Sequence, residues 1–189
     1  KNLPDTSMLV IDDGSSDNTS LVCNQHGVNV ICHNENRGYE KALQTGVDYF
    51  LKSEFDHYVI TDADNEIFVD NIIAELRNYS SVDHYVLIGQ RKRKNRYIEN
   101  ILSIFTSYRY NINDIFCGSK SISKNILKNH EISDITRNVF TYFVIKKLNN
   151  REIIKNICVD GEIRDGDSKF GNGFRSELLL LKLFLKNYV

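Results

Sequence analysis

Along the first half of the chain, short apolar runs alternate with stretches of helical period. Met8 to Ile11 reads as a buried strand that stops at the turn Asp12-Asp13-Gly14-Ser15. Ser15, Ser16 or Asp17 then supplies an N-cap for a helix reaching about His26, where Gly27 offers a left-handed stop. Val28 to His33 is the next strand. From Gly38 to about Ser53, Leu43, Gly46, Val47 and Phe50 recur at helical spacing and define one buried face. His57 to Thr61 is a strand that ends in an acidic loop. Phe68, Ile72, Leu76 and Tyr79 mark the following helix, and Tyr85 to Gly89 is a further strand. This alternation predicts an α/β fold, a three-layer α/β/α sandwich around a mostly parallel sheet.

After Gly89 the pattern loosens. Arg91-Lys92-Arg93-Lys94-Asn95-Arg96 places five bases in six positions, and a helix from about Tyr97 to Tyr110 follows. Then come a polar segment from Asn111 to Ser121, helices near Ser123 to Asn129 and Thr136 to Asn149, and a strand at Ile153 to Val159. At 189 residues, 41% apolar and 26% charged, the chain supports one substantial core and is read as one domain over 1–189. A single Pro and 10 Gly exclude collagen-like and linker-rich classes. Cys23, Cys32, Cys117 and Cys158 lie far apart, as reduced thiols of a cytoplasmic domain do, with no zinc-ligand spacing.

The net charge of −1 conceals an asymmetry. Residues 1–90 hold 5 Lys or Arg against 15 Asp or Glu, and residues 91–189 hold 19 against 10. An acidic half suits a cation; a basic half suits phosphates or an anionic membrane surface. Two solvated faces that attract each other are the plainer alternative. Nucleic acid is not expected, because aromatic residues are sparse around the basic run and the pI is near 6.6. No apolar run approaches the ~20 residues that span a bilayer. The start at Lys1 and the close in the apolar run from Leu178 to Leu185 suggest a piece of something longer, ending on a core helix or on one that approaches a membrane.

In an open parallel sheet, ligands gather outside the carboxyl ends of the strands, so the loops after Ile11, Thr61 and Gly89 are expected to converge. In Asp12-Asp13-Gly14-Ser15-Ser16-Asp17 a carboxylate can accept hydrogen bonds from a nucleobase or ribose, although a turn with a cap needs no ligand. His33 follows a strand near this cluster. In Asp62-Ala63-Asp64, two carboxylates at i and i+2 can hold a hard divalent cation that keeps room for phosphates. An aspartyl phosphatase is disfavoured by Asn65-Glu66, where Glu66 occupies the place of the Thr or Val of its motif.

Taken in order, these residues carry a family resemblance. Val10-Ile11-Asp12-Asp13-Gly14-Ser15-Ser16-Asp17-Asn18-Thr19, then Asn36-Arg37-Gly38-Tyr39 leading into Ala42 and Leu43, then Ile60-Thr61-Asp62-Ala63-Asp64, resemble the GT-A glycosyltransferases of family 2. Within it the likeness is greatest to the dolichyl- or polyprenyl-phosphate sugar transferases. It continues through Gly89-Gln90-Arg91, through Asp114 with Gly118, and through Gly166-Asp167-Ser168-Lys169.

The resemblance implies an inverting transfer of a sugar from a nucleotide-sugar donor to a lipid-phosphate or saccharide acceptor. Residues 1–90 would form the donor half and 91–189 the acceptor half. Asp12, Asp13, Asn36 and Gly38 would meet the nucleotide. Asp62 and Asp64 would hold Mg²⁺ or Mn²⁺ at the diphosphate, with Asp64 also catalytic. Asp114 would stand on the acceptor side as the second catalytic residue, and Arg91, Ser168 and Lys169 would meet phosphate oxygens. The expected location is the cytoplasmic face of a membrane, with peripheral contact. The family's opening strand has no counterpart here, so the expected fold lacks it. Asn65-Glu66-Ile67-Phe68-Val69 also departs from the family's Leu-Gln and paired prolines. A nucleotidyltransferase and a catalytically silent nucleotide-sugar-binding domain are the alternatives.

Overall fold

The computed structural model describes residues 7–63, 70–79, 85–92, 94, 97–128, 130–131, 140, 143–145, 154–159, 177–178, 181–182 and 184–185. They fall into two compact units, Lys1–Glu54 and Phe55–Val189. Both are built from strands and helices in alternation, as the hydrophobic pattern predicts.

In the first unit, β1 (Leu9–Asp12) and β2 (Asn29–Cys32) pair in parallel with Leu9 opposite Asn29 and Asp12 opposite Cys32. The connecting helix α1 is Thr19–Gln25, and Gly27 beyond it has φ +67°, the left-handed stop. Its N-cap is Asn18, one residue later than the candidates read from sequence, and Asn18 makes no side-chain cap bond. Asp17 instead takes the Thr19 N–H at 2.9 Å from outside the helix. Helix α2 (Tyr39–Lys52) buries Leu43, Gly46, Val47 and Phe50, the stripe that its period marks. Each large member of that stripe contributes roughly 1.5–3 kcal/mol by leaving water.

The second unit carries a four-stranded sheet in the order β3 (His57–Ile60), β5 (Lys120–Ser123), β4 (Val86–Arg91), β6 (Ile154–Val159). β4 and β6 run parallel, whereas β5 is antiparallel to both neighbours. The polar segment read from sequence thus ends in a strand, which no alternation of apolar residues announces. Its side chains are all buried and are stabilised in part by hydrogen bonds, which substitute for apolar packing. The Ser123 hydroxyl, for example, accepts from the Tyr85 N–H at 3.4 Å.

On one face of this sheet, α3 (Asp70–Leu76), extended by a 3₁₀ turn over Arg77–Tyr79, packs Ile72 into a core with Tyr85, Leu87, Cys117, Ile157 and Val159. Helix α4 spans Tyr97–Tyr110, as expected, and α5 is the single turn Lys124–Leu127. The expected helix over Thr136 to Asn149 lies largely outside the described residues. All four cysteines are free thiols. Among the described residues, no helix is long and apolar enough to cross a membrane.

Candidate functional site

The first unit binds its two sequence motifs to each other. Asp12, buried at the end of β1, accepts the Ser15 N–H at 2.9 Å and so closes the turn. The Asp13 carboxylate crosses to the other loop, where Oδ1 accepts from Arg37 N at 3.0 Å and Oδ2 from Gly38 N at 2.7 Å. His33 Nδ1 lies 2.6 Å from the same carboxylate, and its Nε2 is fixed by the Thr45 hydroxyl at 2.9 Å. Burial raises the Asp13 pKa, but the bonds from His33, Arg37 and Gly38 outweigh it and hold the carboxyl below its ordinary value.

Gly14 makes this approach possible. It has φ +76°, and a Cβ there would sit 2.6 Å from the Asn36 nitrogen. The Asp12–Gly14 turn and the Asn36–Gly38 loop are therefore neighbours in the first unit, with Asp13 joining them.

In the second unit, Asp62 stands two residues past β3. A Cβ at position 118 would lie 2.3 Å from Asp62 Oδ2, so the carboxylate rests against bare backbone that only glycine provides. Ser119, next in the chain, joins this loop to β3 through a 3.0 Å hydroxyl contact with Thr61. Asp64 lies outside the described residues.

At the end of β4, the Arg91 guanidinium grips Asp114 in a fork, Nε to Oδ2 at 2.8 Å and Nη2 to Oδ1 at 3.0 Å. The Arg91 backbone N–H adds a third bond to Asp114 at 3.1 Å, and Nη2 also reaches Glu99 of α4 at 2.8 Å. Asp114 and Glu99 are buried. Burial works against the Arg91 charge, but the two carboxylates overcome it and raise its pKa. Ser168 and Lys169 lie outside the described residues.

Sequence reasoning overlooked Glu99 and Lys120. Glu99 had a weak signal, an acid in the first turn of a helix that follows a basic run. Lys120 had none, since it lies in a polar segment that reads as loop. Its side chain is fully buried in β5 and donates to the Cys117 carbonyl within the Asp114–Gly118 loop. Burial lowers its pKa, against the opposing pull of Cys117, Asp114 and Asp62. Burial also pushes the Cys117 thiol up to about 11, so it is no nucleophile at neutral pH. Beside β4 and α4 an open cleft of about 570 Å³ is lined by Gln90, Asn100, Ser103, Ser107 and Asn113 among others.

The sequence model of the family described as glycosyl transferase family 2 matches residues 1–144. The chain belongs to that family. Solved structures are similar to it in fold, among them glucosyl-3-phosphoglycerate synthase from Mycobacterium tuberculosis. The complex of that synthase with Mn²⁺, UDP and glucosyl-3-phosphoglycerate superposes with a TM-score of 0.67 at 12% identity, over 96% of this chain and 68% of that one. Its complex with Mn²⁺ and UDP-glucose gives 0.66 at 14% identity, over 95% and 67%. These likenesses establish the GT-A type of α/β fold. An uncharacterized protein of Methanocaldococcus jannaschii is 27% identical, over 67% of this chain and 64% of its own. The chain thus spans just under two thirds of the length of that relative.

Proposed function

We propose that this protein transfers a sugar, with inversion, from a nucleotide-sugar donor to an acceptor phosphate presented at a membrane surface, a polyprenyl phosphate in chemical class. One observation carries the donor half of this reading. The Asp12-Asp13-Gly14 turn and the Asn36-Gly38 loop, two motifs of the family pattern, are bonded into one surface through the Asp13 carboxylate. Asp12 and Asp13 then serve the nucleoside and not the metal.

Asp62, seated on Gly118, offers carboxylate oxygen, the donor type that Mg²⁺ or Mn²⁺ takes. Among the described residues no cluster of three or more His, Cys, Asp or Glu could hold a metal, so the reading needs Asp64 as the second ligand. When bound, the cation would neutralise charge on the departing nucleoside diphosphate. Asp114 has both oxygens committed to Arg91, so it acts by fixing that guanidinium, and Arg91 in turn binds the acceptor phosphate with Ser168 and Lys169. An acceptor phosphate is already ionised and requires no general base. The single domain over 1–189 is part of the same proposal, with residues 1–90 as the donor half and residues 91–189 as the acceptor half.

The open cleft beside α4, where Tyr108 and Ile104 stand beside Gln90, Asn100 and Asn113, supports a second reading, in which the acceptor is a saccharide hydroxyl. Thermal-shift and calorimetric titration with UDP-, GDP- and dTDP-sugars, with and without Mn²⁺, tests the donor. Asp64→Ala should abolish metal-dependent binding and leave the fold intact. Asp12→Ala or Asp13→Ala should weaken nucleoside monophosphate binding even in EDTA. Metal-dependent binding that survives in Asp64→Ala would overturn the assignment.

A further inference from the structure

Helix α4 turns polar side chains inward. Its buried positions are Glu99, Leu102, Ser103 and Thr106, and three of those four are polar. Each polar one is accounted for: Glu99 meets Arg91, the Ser103 hydroxyl donates to the Glu99 carbonyl at 2.6 Å, and the Thr106 hydroxyl donates to the Ile112 carbonyl at 2.7 Å. The flank of the same helix forms a wall of the open cleft. Asn100, Ser103, Ile104, Ser107 and Tyr108 stand there at i, i+3, i+4, i+7 and i+8, a single helix face. Gln90, Lys94 and Asn113 complete the lining.

The hydrogen bonds around this cleft run in one direction. The Ser107 hydroxyl donates to Asn113 Oδ1 at 2.8 Å, and Asn113 Nδ2 donates to Gln90 Oε1 at 3.0 Å. Lys94 Nζ donates to the Asn113 carbonyl at 2.9 Å, and the Asn113 N–H donates to Asn156 Oδ1 at 2.8 Å. Asn113 is therefore a hub with all four of its polar groups engaged. Each oxygen of the chain already receives a proton. The Gln90 amide N–H groups and two of the three Lys94 N–H donors, by contrast, meet no acceptor among the described residues. What the cleft offers a ligand is thus donors, one neutral group and one cation. Among the described residues that line it there is no Asp or Glu, and Lys94 is the one charged side chain.

We propose that this cleft binds the acceptor as a saccharide that carries a carboxylate, and that Gln90 and Lys94 hold the carboxylate and so set acceptor specificity. Charge balance selects that ligand. A carboxylate brings one negative charge against the one ammonium, whereas a phosphate monoester brings about −1.5 to −2 at neutral pH and leaves the cleft net negative. Bonds from an ammonium to an ionised oxygen are also stronger than bonds to a neutral hydroxyl. Ile104, 74% exposed, and Tyr108, 84% exposed, supply apolar surface for the carbon face of a sugar ring. Gln90 and Asn113 directly precede Arg91 and Asp114, so the carboxylate is held beside the ion pair assigned to the acceptor side. The proposal rests on the saccharide reading of the acceptor and adds what that reading lacks, a reason for the cleft to prefer one sugar over another.

The test is equilibrium binding of methyl glucuronide, methyl glucoside and glucose 6-phosphate to the whole chain without donor or metal, followed by saturation-transfer NMR. The glucuronide should bind about tenfold more tightly than the glucoside, the size of one charge-assisted hydrogen bond. That advantage should shrink in about 0.5 M NaCl. Lys94→Met should remove it by weakening the glucuronide, with the unfolding temperature retained. Gln90→Glu keeps the shape of the side chain, places a carboxylate in the cleft, and should weaken the glucuronide alone. Tyr108→Ser should weaken both sugars equally, which separates ring packing from charge recognition. Equal affinity for glucuronide and glucoside in the wild type, or a preference that survives Lys94→Met, would overturn the proposal and leave the saccharide reading standing. Tighter binding of glucose 6-phosphate than of glucuronide would overturn it too, by making the cleft a phosphate site. UDP release from UDP-glucose with Mn²⁺ separates the two readings: a Lys94-dependent preference for the glucuronide, with no sugar stimulating release, defeats the saccharide-acceptor reading and leaves the carboxylate site in place.

Discussion

Asp13 and Asp114 are the same side chain held in two different ways. Asp13, in the first unit, is partly open to solvent and is bound by two backbone N–H groups and a histidine ring. Asp114, in the second, is fully buried and gripped by a guanidinium that also serves Glu99. The first arrangement joins two loops and leaves a carboxylate able to exchange one donor for another. The second fixes a charge pair whose members depend on each other, because neither can be left alone in a low-dielectric interior. A nucleotide that comes and goes suits the first kind of site. An arginine that must be presented in one orientation requires the second.

The sharpest way to break the contrast is to remove Asp114. Asp114→Ala should cost about 3 kcal/mol in urea denaturation, since it removes three hydrogen bonds from Arg91 and leaves Glu99 as the carboxylate facing it. Adding both Arg91→Met and Glu99→Gln to that variant should recover much of the loss, and additive effects would mean that water already solvates the cluster. Next is Gly118→Ala, where the new methyl collides with Asp62. Calorimetry should show about tenfold weaker Mn²⁺-dependent UDP binding, equivalent to about 1.4 kcal/mol. Unchanged affinity would separate the Asp62 orientation from the donor site.

Asp13→Asn should cost about 1 kcal/mol at neutral pH, the size of a charge-assisted bond in a partly wet setting. Its pH dependence is the more telling readout. The folded pKa lies below 3.8, so the stabilisation is complete above about pH 4 and disappears as pH falls through the folded value. The Asn variant should therefore lose less stability than the wild type between pH 4 and 2. At the bottom of the scale stands Glu75, lowered in pKa by its bond to Lys155 on an exposed surface. Glu75→Gln should change stability by less than about 0.5 kcal/mol, and the difference should vanish in 1 M NaCl.

How far these arrangements were legible from sequence follows from what makes each one. The buried stripe of α2 is a matter of period, and periods can be read from a string of letters. Gly14 was legible as a turn, but its contact with the 35–36 peptide requires knowing which loop lies beside it. β5 escaped because Lys120-Ser121-Ile122-Ser123 carries mostly polar side chains into the interior, where Lys120 and Ser123 meet acceptors and donors distant from strand logic. The limits of α4 were legible and its facing was not, because the partner of Glu99 is set by the tertiary fold. Asp64, Ser168 and Lys169 remain assignments of the family pattern.

The place of β5 has a consequence for how the chain reaches its native state. β3 and β4 are adjacent in sequence but do not pair; each waits for the strand between them, with Ile60 and Ile88 both opposite Lys120. On a ribosome, both would emerge as open edges and stay so until residue 123 cleared the exit tunnel. Sheet closure then carries a long-range entropic cost that slows folding. Until that moment the nascent second unit presents two unpaired strands, the form most prone to pair with a neighbouring chain, and one edge of β4 stays open until β6 follows. Slowing translation once Ser123 has left the exit tunnel should raise the soluble yield, and truncating the chain before Lys120 should give aggregates instead of a smaller domain.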